Sequence, residues 1–160
     1  MNIKRSVCTT AFLVITISNL HVSSATSKRS IDENRVIDSV KQAEAYINRH
    51  GKNKAISEFK NFSKVIFAID FDGTFLASPL YPELIGTNQI NFQDPKGNLL
   101  VQEEIEKAKA GGGWLKGRWR KNPETGKYLC RKLYIHPMPG DYFIGSWYYY
   151  TPEQEGICVI

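Results

Sequence analysis

Two carboxylates one residue apart, Asp70 and Asp72, stand in the stretch VIFAIDFDGTFLASP, residues 65–79. An apolar run ending in Asp-x-Asp-Gly-Thr can present the first aspartate as a nucleophile toward phosphate and the second as its acid/base partner. That chemistry also needs a divalent metal, a lysine to balance phosphate charge and a downstream acidic pair to hold the metal. The same letters spell two short strands joined by a tight turn, since Asp72-Gly73 is a strong hairpin signal. A type I′ turn is expected there, with positive φ at both central residues.

Downstream residues decide between the two readings. Glu103-Glu104 falls within a helical pattern, and Glu153 and Glu155 lie in the C-terminal tail. No acidic pair therefore closes a buried apolar strand. A haloacid-dehalogenase-type phosphatase builds a parallel sheet whose crossovers need about a dozen residues or more. Two residues between the first strands force them antiparallel instead. The turn reading is preferred, and hydrolysis through Asp70 and Asp72 is kept as an alternative function.

Other reactive residues form no constellation. His21, His50 and His136 show no metal-ligand spacing, and no Ser, Cys or His has a catalytic setting. The tract ETGKY lacks the glycine-rich loop of a nucleotide site. The sequence thus points to no enzyme, no metal and no cofactor.

The chain has 160 residues, enough for one domain with a real core. Hydrophobic content of 42% and charged content of 23% are ordinary for a globular protein. Residues 1–25 read as an export signal: Lys4 and Arg5, an apolar stretch from Val7 to Leu20, then Ser23 and Ala25 before the cut. The mature chain is then periplasmic or secreted. Losing Lys4 and Arg5 lowers the net charge from +5 to +3, a surplus too small to indicate nucleic acid. Cys8 leaves with the signal. Cys130 and Cys158 remain where disulfides persist, either as a bridge or as two independent thiols.

The elements follow from periodicity. Val36, Val40, Ala43 and Ile47 recur at helical spacing within a helix expected over 32–50, stopped by Gly51. Asn53 is the expected cap of a short second helix. After the hairpin, residues 80–97 are loop-rich, with a turn of helix expected at 82–85. Asn98 is the expected cap of a helix reaching about Ala110, with Leu100, Val101, Ile105 and Ala108 inward. Strands beginning at Trp114, Lys127 and Asp141 close the chain, joined by NPETG and PMPG. Five antiparallel strands with segregated helices make an α+β domain over 31–152, leaving 153–160 as a tail.

In this order, the segments VKQAEAYINRHGKNKAISEF, FAIDFDGTFLASPLYPELIGTN, FQDPKGNLLVQEEIEKAKAGGGW and RKLYIHPMPGDYFIGSWYY resemble the extracellular single Cache domains of class 2. These are PAS-like sensors on bacterial receptors. The resemblance implies a long N-terminal helix against a five-stranded antiparallel sheet with crossing helices. It further implies a ligand pocket on the sheet's other face, under the loop and helix that follow the hairpin. It suggests a small organic ligand such as a short carboxylate, and a membrane receptor or other signalling partner. After Tyr150 only TPEQEGICVI follows, so a free-standing binder is expected.

Within that resemblance, Arg131 stands where the family usually has Lys and is the first candidate to hold a carboxylate, because a guanidinium offers paired donors. Arg118 is the second. Trp119, Tyr134, Tyr149 and Trp147 are candidate pocket walls, and Tyr81 a candidate lid. Ser78 replaces a histidine that many members carry. Trp147 replaces a glycine, so the indole is expected to fill part of the pocket and leave room for a very small ligand or none. A third function, a secreted interaction module built on SWYYY, requires those aromatics to be exposed.

Overall fold

The computed structural model describes residues 20–62, 65–152 and 158, with side chains from residue 31 onward. Helix α1 runs Leu20–His50, longer than the periodicity predicts, because the backbone continues helically through residues 20–31. It crosses residue 25, and the rest of the expected export signal, residues 1–19, lies outside the described residues. Among the described residues no helix is long and apolar enough to cross a membrane. Val36, Val40, Ala43 and Ile47 are all buried, as their spacing requires.

Gly51, with φ 81°, ends α1 and itself starts α2, Lys52–Glu58. Its amide donates to the Ile47 carbonyl (2.8 Å), and its carbonyl accepts from the Ala55 amide (3.1 Å). Asn53 is therefore inside the helix and caps nothing. The strands are β1 (Phe67–Asp70), β2 (Phe75–Ala77), β3 (Gly113–Trp114), β4 (Arg118–Lys121), β5 (Tyr128–Met138) and β6 (Tyr142–Tyr150). Helix α3, Leu100–Lys109, crosses between β2 and β3.

The sheet order is β2-β1-β6-β5-β3, with β4 also on β5, and every strand pair is antiparallel. Six strands replace the expected five because the strand from Trp114 is broken in two. Trp114 pairs with Tyr134 and Arg118 with Arg131, so four steps on the edge strand face three on β5. One residue bulges out. Gly117 lies in this break against the Tyr150 ring, where a Cβ would fall 1.9 Å from the phenolic oxygen.

The two sheet faces carry separate cores. Ile66, Ala68, Tyr142 and Ile144 pack with α1 and α2, while Phe67, Ile69, Phe143, Leu133 and Ile135 pack with Val101, Ile105 and Ala108 of α3. Alternation along each strand dictates this division. A third small cluster surrounds Cys130 and Cys158, which are joined as a disulfide with Cα atoms 5.6 Å apart. The cysteine alternatives thus resolve to the bridge.

The hairpin turns the chain, but not as a type I′ turn. Only Gly73 takes positive φ, at 97°, and Asp72 does not. The Gly73 amide donates to the Asp70 carbonyl (3.0 Å) and the Asp70 amide to the Thr74 carbonyl (3.0 Å). This is a three-residue loop, a turn over 70–73 followed by glycine in the left-handed region. Asp72 stays at negative φ because its carboxylate accepts from the Thr74 amide (2.8 Å), an Asx-type contact.

A Cβ at Gly73 would lie 2.8 Å from Cβ of Ile90, in addition to the unfavourable φ. Gly73→Ala should therefore destabilise the protein by about 1–3 kcal/mol. A urea midpoint equal to that of the unaltered chain would refute this turn geometry.

A cavity over the sheet as candidate ligand site

The segment between β2 and α3 folds back as a cover. Its backbone is tied to the hairpin: Gly86 N–H donates to the Phe75 carbonyl (2.8 Å), Phe75 N–H to the Thr87 carbonyl (3.1 Å) and Gln89 N–H to the Gly73 carbonyl (2.9 Å). The Asn88 side-chain amide donates to the Asp72 carbonyl (2.8 Å). A single 3-10 turn, Pro82–Leu84, lies where helix was expected. Asn98 does not cap α3, whose preceding residue is Leu99. Its amide side chain instead donates to Asp94 (2.8 Å), closing a tight turn in the cover.

Between this cover, α3 and the sheet lies a cavity of about 390 Å³, within the usual range for small-molecule sites. Phe67, Phe75, Leu133 and Trp147 form its apolar floor, Leu84, Phe92, Leu100 and Val101 its roof, and Ser78, Tyr81 and Gln89 its polar points. At one end stand Arg131, Arg120 and Glu104. A second cavity of about 460 Å³ lies beyond these three, lined also by Lys107, Lys116, Arg118 and Glu103. The three charged residues thus form a partition between an apolar and a cationic chamber.

Arg131 reaches the partition because β5 alternation puts it with Leu133 on the α3 face. Its guanidinium carbon lies 5.1 Å from the Trp147 ring centroid, a cation–π arrangement. Its Nε is buried and has no hydrogen-bond partner among the described residues. Arg120 donates from Nη1 to the Trp119 carbonyl (2.8 Å), and burial together with the Arg131 charge lowers its pKa. Among the described residues, no carboxylate comes within the 4.0 Å of an ion pair from either guanidinium. Glu104 is buried, and desolvation pushes its carboxyl up to about 7 against the opposing pull of Arg131 and Arg120.

The structure brings Arg131, Trp147 and Tyr81 together around the cavity. Trp147 does not plug it: the indole lies against Phe67 and leaves the volume beside it open. Tyr149 lines a neighbouring groove near Arg131, and burial raises its phenol while that guanidinium lowers it. Trp119 and Tyr134 lie away from the cavity. Trp119 packs on the disulfide cluster, and Tyr134 meets Trp114 edge-on with centroids 5.1 Å apart, on the α1 face. Arg118 is held by Glu103 and by Asp94 (3.5 Å), and faces the second chamber. It latches the cover and α3 to β4, and Asp94 is lowered mainly by its bonds to Asn98.

Sequence reasoning missed Glu104 and Arg120. Both carried a signal: Val101, Glu104, Ile105 and Ala108 share one helical face, and Arg120 is two residues from Arg118 on one strand. Ser78, the replacement for histidine, does line the cavity.

The phosphatase alternative loses its frame, because β1 lies between two antiparallel neighbours. Asp70 and Asp72 both accept from the Thr74 amide, at 3.0 and 2.8 Å, and so hold the turn. Burial raises Asp70, the bond to Asp70 lowers Asp72, and no described group of three or more acids, His or Cys is placed to hold a metal. The interaction-module alternative requires open aromatics, yet Trp147, Tyr148 and Tyr149 are half-buried and Tyr150 is buried.

Comparisons with known proteins agree with this architecture. The sequence model of a family described as "Cache domain" matches residues 33–155. A segment of 69 residues is 38% identical to the sensor histidine kinase MctS of Rhizobium johnstonii. That segment is 43% of this chain, and the chain spans only 15% of the kinase's length. Among solved structures, a methyl-accepting chemotaxis protein from Vibrio parahaemolyticus superposes with TM-score 0.67 at 17% identity, covering 81% of this chain and 95% of that one. A structure described as "Structural basis for carboxylic acid recognition by a Cache chemosensory domain" gives TM-score 0.54 at 18% identity, covering 84% and 99%.

Proposed function

The chain belongs to the Cache domain family, and from that premise we propose that it is a non-catalytic sensor module whose cavity binds a small organic carboxylate. One observation carries this reading. Arg131 brings a guanidinium with an unpartnered, buried Nε to the end of an apolar cavity. A buried donor without an acceptor is costly, and a bidentate carboxylate is the ligand group that best satisfies it. The apolar floor and roof fit a short hydrocarbon or aryl body, and Ser78, Tyr81 and Gln89 offer orienting hydrogen bonds. Carboxylic acid recognition by a Cache domain of the same fold supports the choice of ligand class.

Binding would shift the protein toward the state in which the cover is closed over the sheet, the general route by which a ligand biases a sensor. The message would pass to a membrane receptor or other signalling partner, outside the cytoplasm if residues 1–25 direct export. A thermal-shift screen of mono- and dicarboxylates, amino acids and amines tests the reading. An acid at 100 times its dissociation constant should add about 2.7 kcal/mol of stability. A response confined to amines would exclude a carboxylate site.

A further inference from the structure

The partition holds one acid and two arginines that face one another without pairing. Glu104 is buried on α3 and borders both cavities, as do Arg131 on β5 and Arg120 on β4. Of the other titratable neighbours, Tyr149 of β6 bonds Arg131 and is raised by burial, so it stays neutral. Arg118 of β4 is engaged by Glu103 of α3 and by Asp94 of the cover, and Glu83 of the cover is exposed. Lys107 on α3 and the exposed Lys116 border the second chamber. Among the described residues, Glu104 is therefore the one buried acid available to offset Arg131 and Arg120.

An incoming carboxylate changes that balance. It brings a second negative charge into the same water-poor corner, where like charges disfavour each other's ionised forms. We propose that Glu104 is the resident, unpaired counter-charge of the site, and that an anionic ligand takes over this role beside Arg131 and Arg120 with uptake of one proton from solvent onto the Glu104 carboxylate. The proton converts Glu104 from a competing acceptor into a neutral donor that can face a ligand oxygen. Occupancy of the sensor then depends on pH as well as on ligand concentration. This inference rests on the carboxylate reading above.

Titration calorimetry with butyrate and benzoate, each in two buffers of different ionisation enthalpy at pH 8, measures the proton directly. The protein should take up about one proton per acid bound, and its affinity should fall up to about tenfold per pH unit above 7. Glu104→Gln should bind the same acids with no proton uptake and a flat pH profile. Uptake near zero in the unaltered protein, or equal uptake in Glu104→Gln, overturns the inference while leaving the carboxylate site standing. Binding of neither acid to either protein removes the site reading, and the proton linkage with it. The two-buffer measurement on the unaltered chain decides the matter even if Glu104→Gln fails to fold.

Discussion

Arg131→Ala is expected to weaken carboxylate binding more than any other single change in the cavity. Truncating one partner of a desolvated, hydrogen-bonded charge pair costs about 2–5 kcal/mol, or about 30-fold to several thousand-fold in affinity. Arg131→Lys should recover only part of the loss, because an ammonium keeps the charge but not the paired donors. Fold stability without ligand should change less than affinity, since the side chain takes with it the Trp147 contact and the offset to Glu104 but also a buried Nε that has no partner among the described residues. Arg118→Ala is the control. Its guanidinium is already engaged by Asp94 and Glu103, so its loss should loosen the cover and change affinity about threefold or less. Calorimetric titration of both variants with the best acid of the screen measures the contrast. Equal losses would move the carboxylate from the partition to the second chamber.

That contrast bears on how far the sequence specifies the site. Period-2 alternation alone already separates Arg131 from Tyr134, three residues away on β5, and Arg118 from Trp119 beside it. Treating all four as pocket candidates set aside a rule that the strands obey. The same rule correctly groups Trp147 with Tyr149, and helical spacing puts Glu104 beside Val101 and Ala108. The chain reversal at Asp72-Gly73 was equally legible, since glycine supplies the positive φ at little cost.

What the sequence did not specify depends on contacts between distant segments. The turn class follows from an Asx contact that competes with positive φ at Asp72. The engagement of Arg118 depends on the cover bringing Asp94 across 24 residues. The break between β3 and β4 depends on Tyr150 occupying the space beside Gly117. Local propensity has no term for any of these.

Glu104 should also leave a mark on stability that needs no ligand. Its carboxyl is raised from 4.5 to about 7 because burial penalises the charged form more than the arginines favour it. The folded protein therefore holds a proton that the unfolded chain releases above pH 4.5. The resulting stability is fully present below that pH, is lost as pH rises toward 7, and is absent above it. The difference corresponds to about 3 kcal/mol. Glu104→Gln lacks this titration, so it should match the unaltered protein near pH 4 and exceed its stability by about 3 kcal/mol near pH 8. Subtracting one urea-unfolding profile from the other cancels the opposite contributions of Asp72 and Asp94, whose acids are lowered. Parallel profiles would mean that Glu104 is stably ionised against Arg131 and Arg120 across this range. The corner would then be a fixed ion cluster with no vacancy for a ligand's carboxylate, so the stability curve tests the site before any ligand is found.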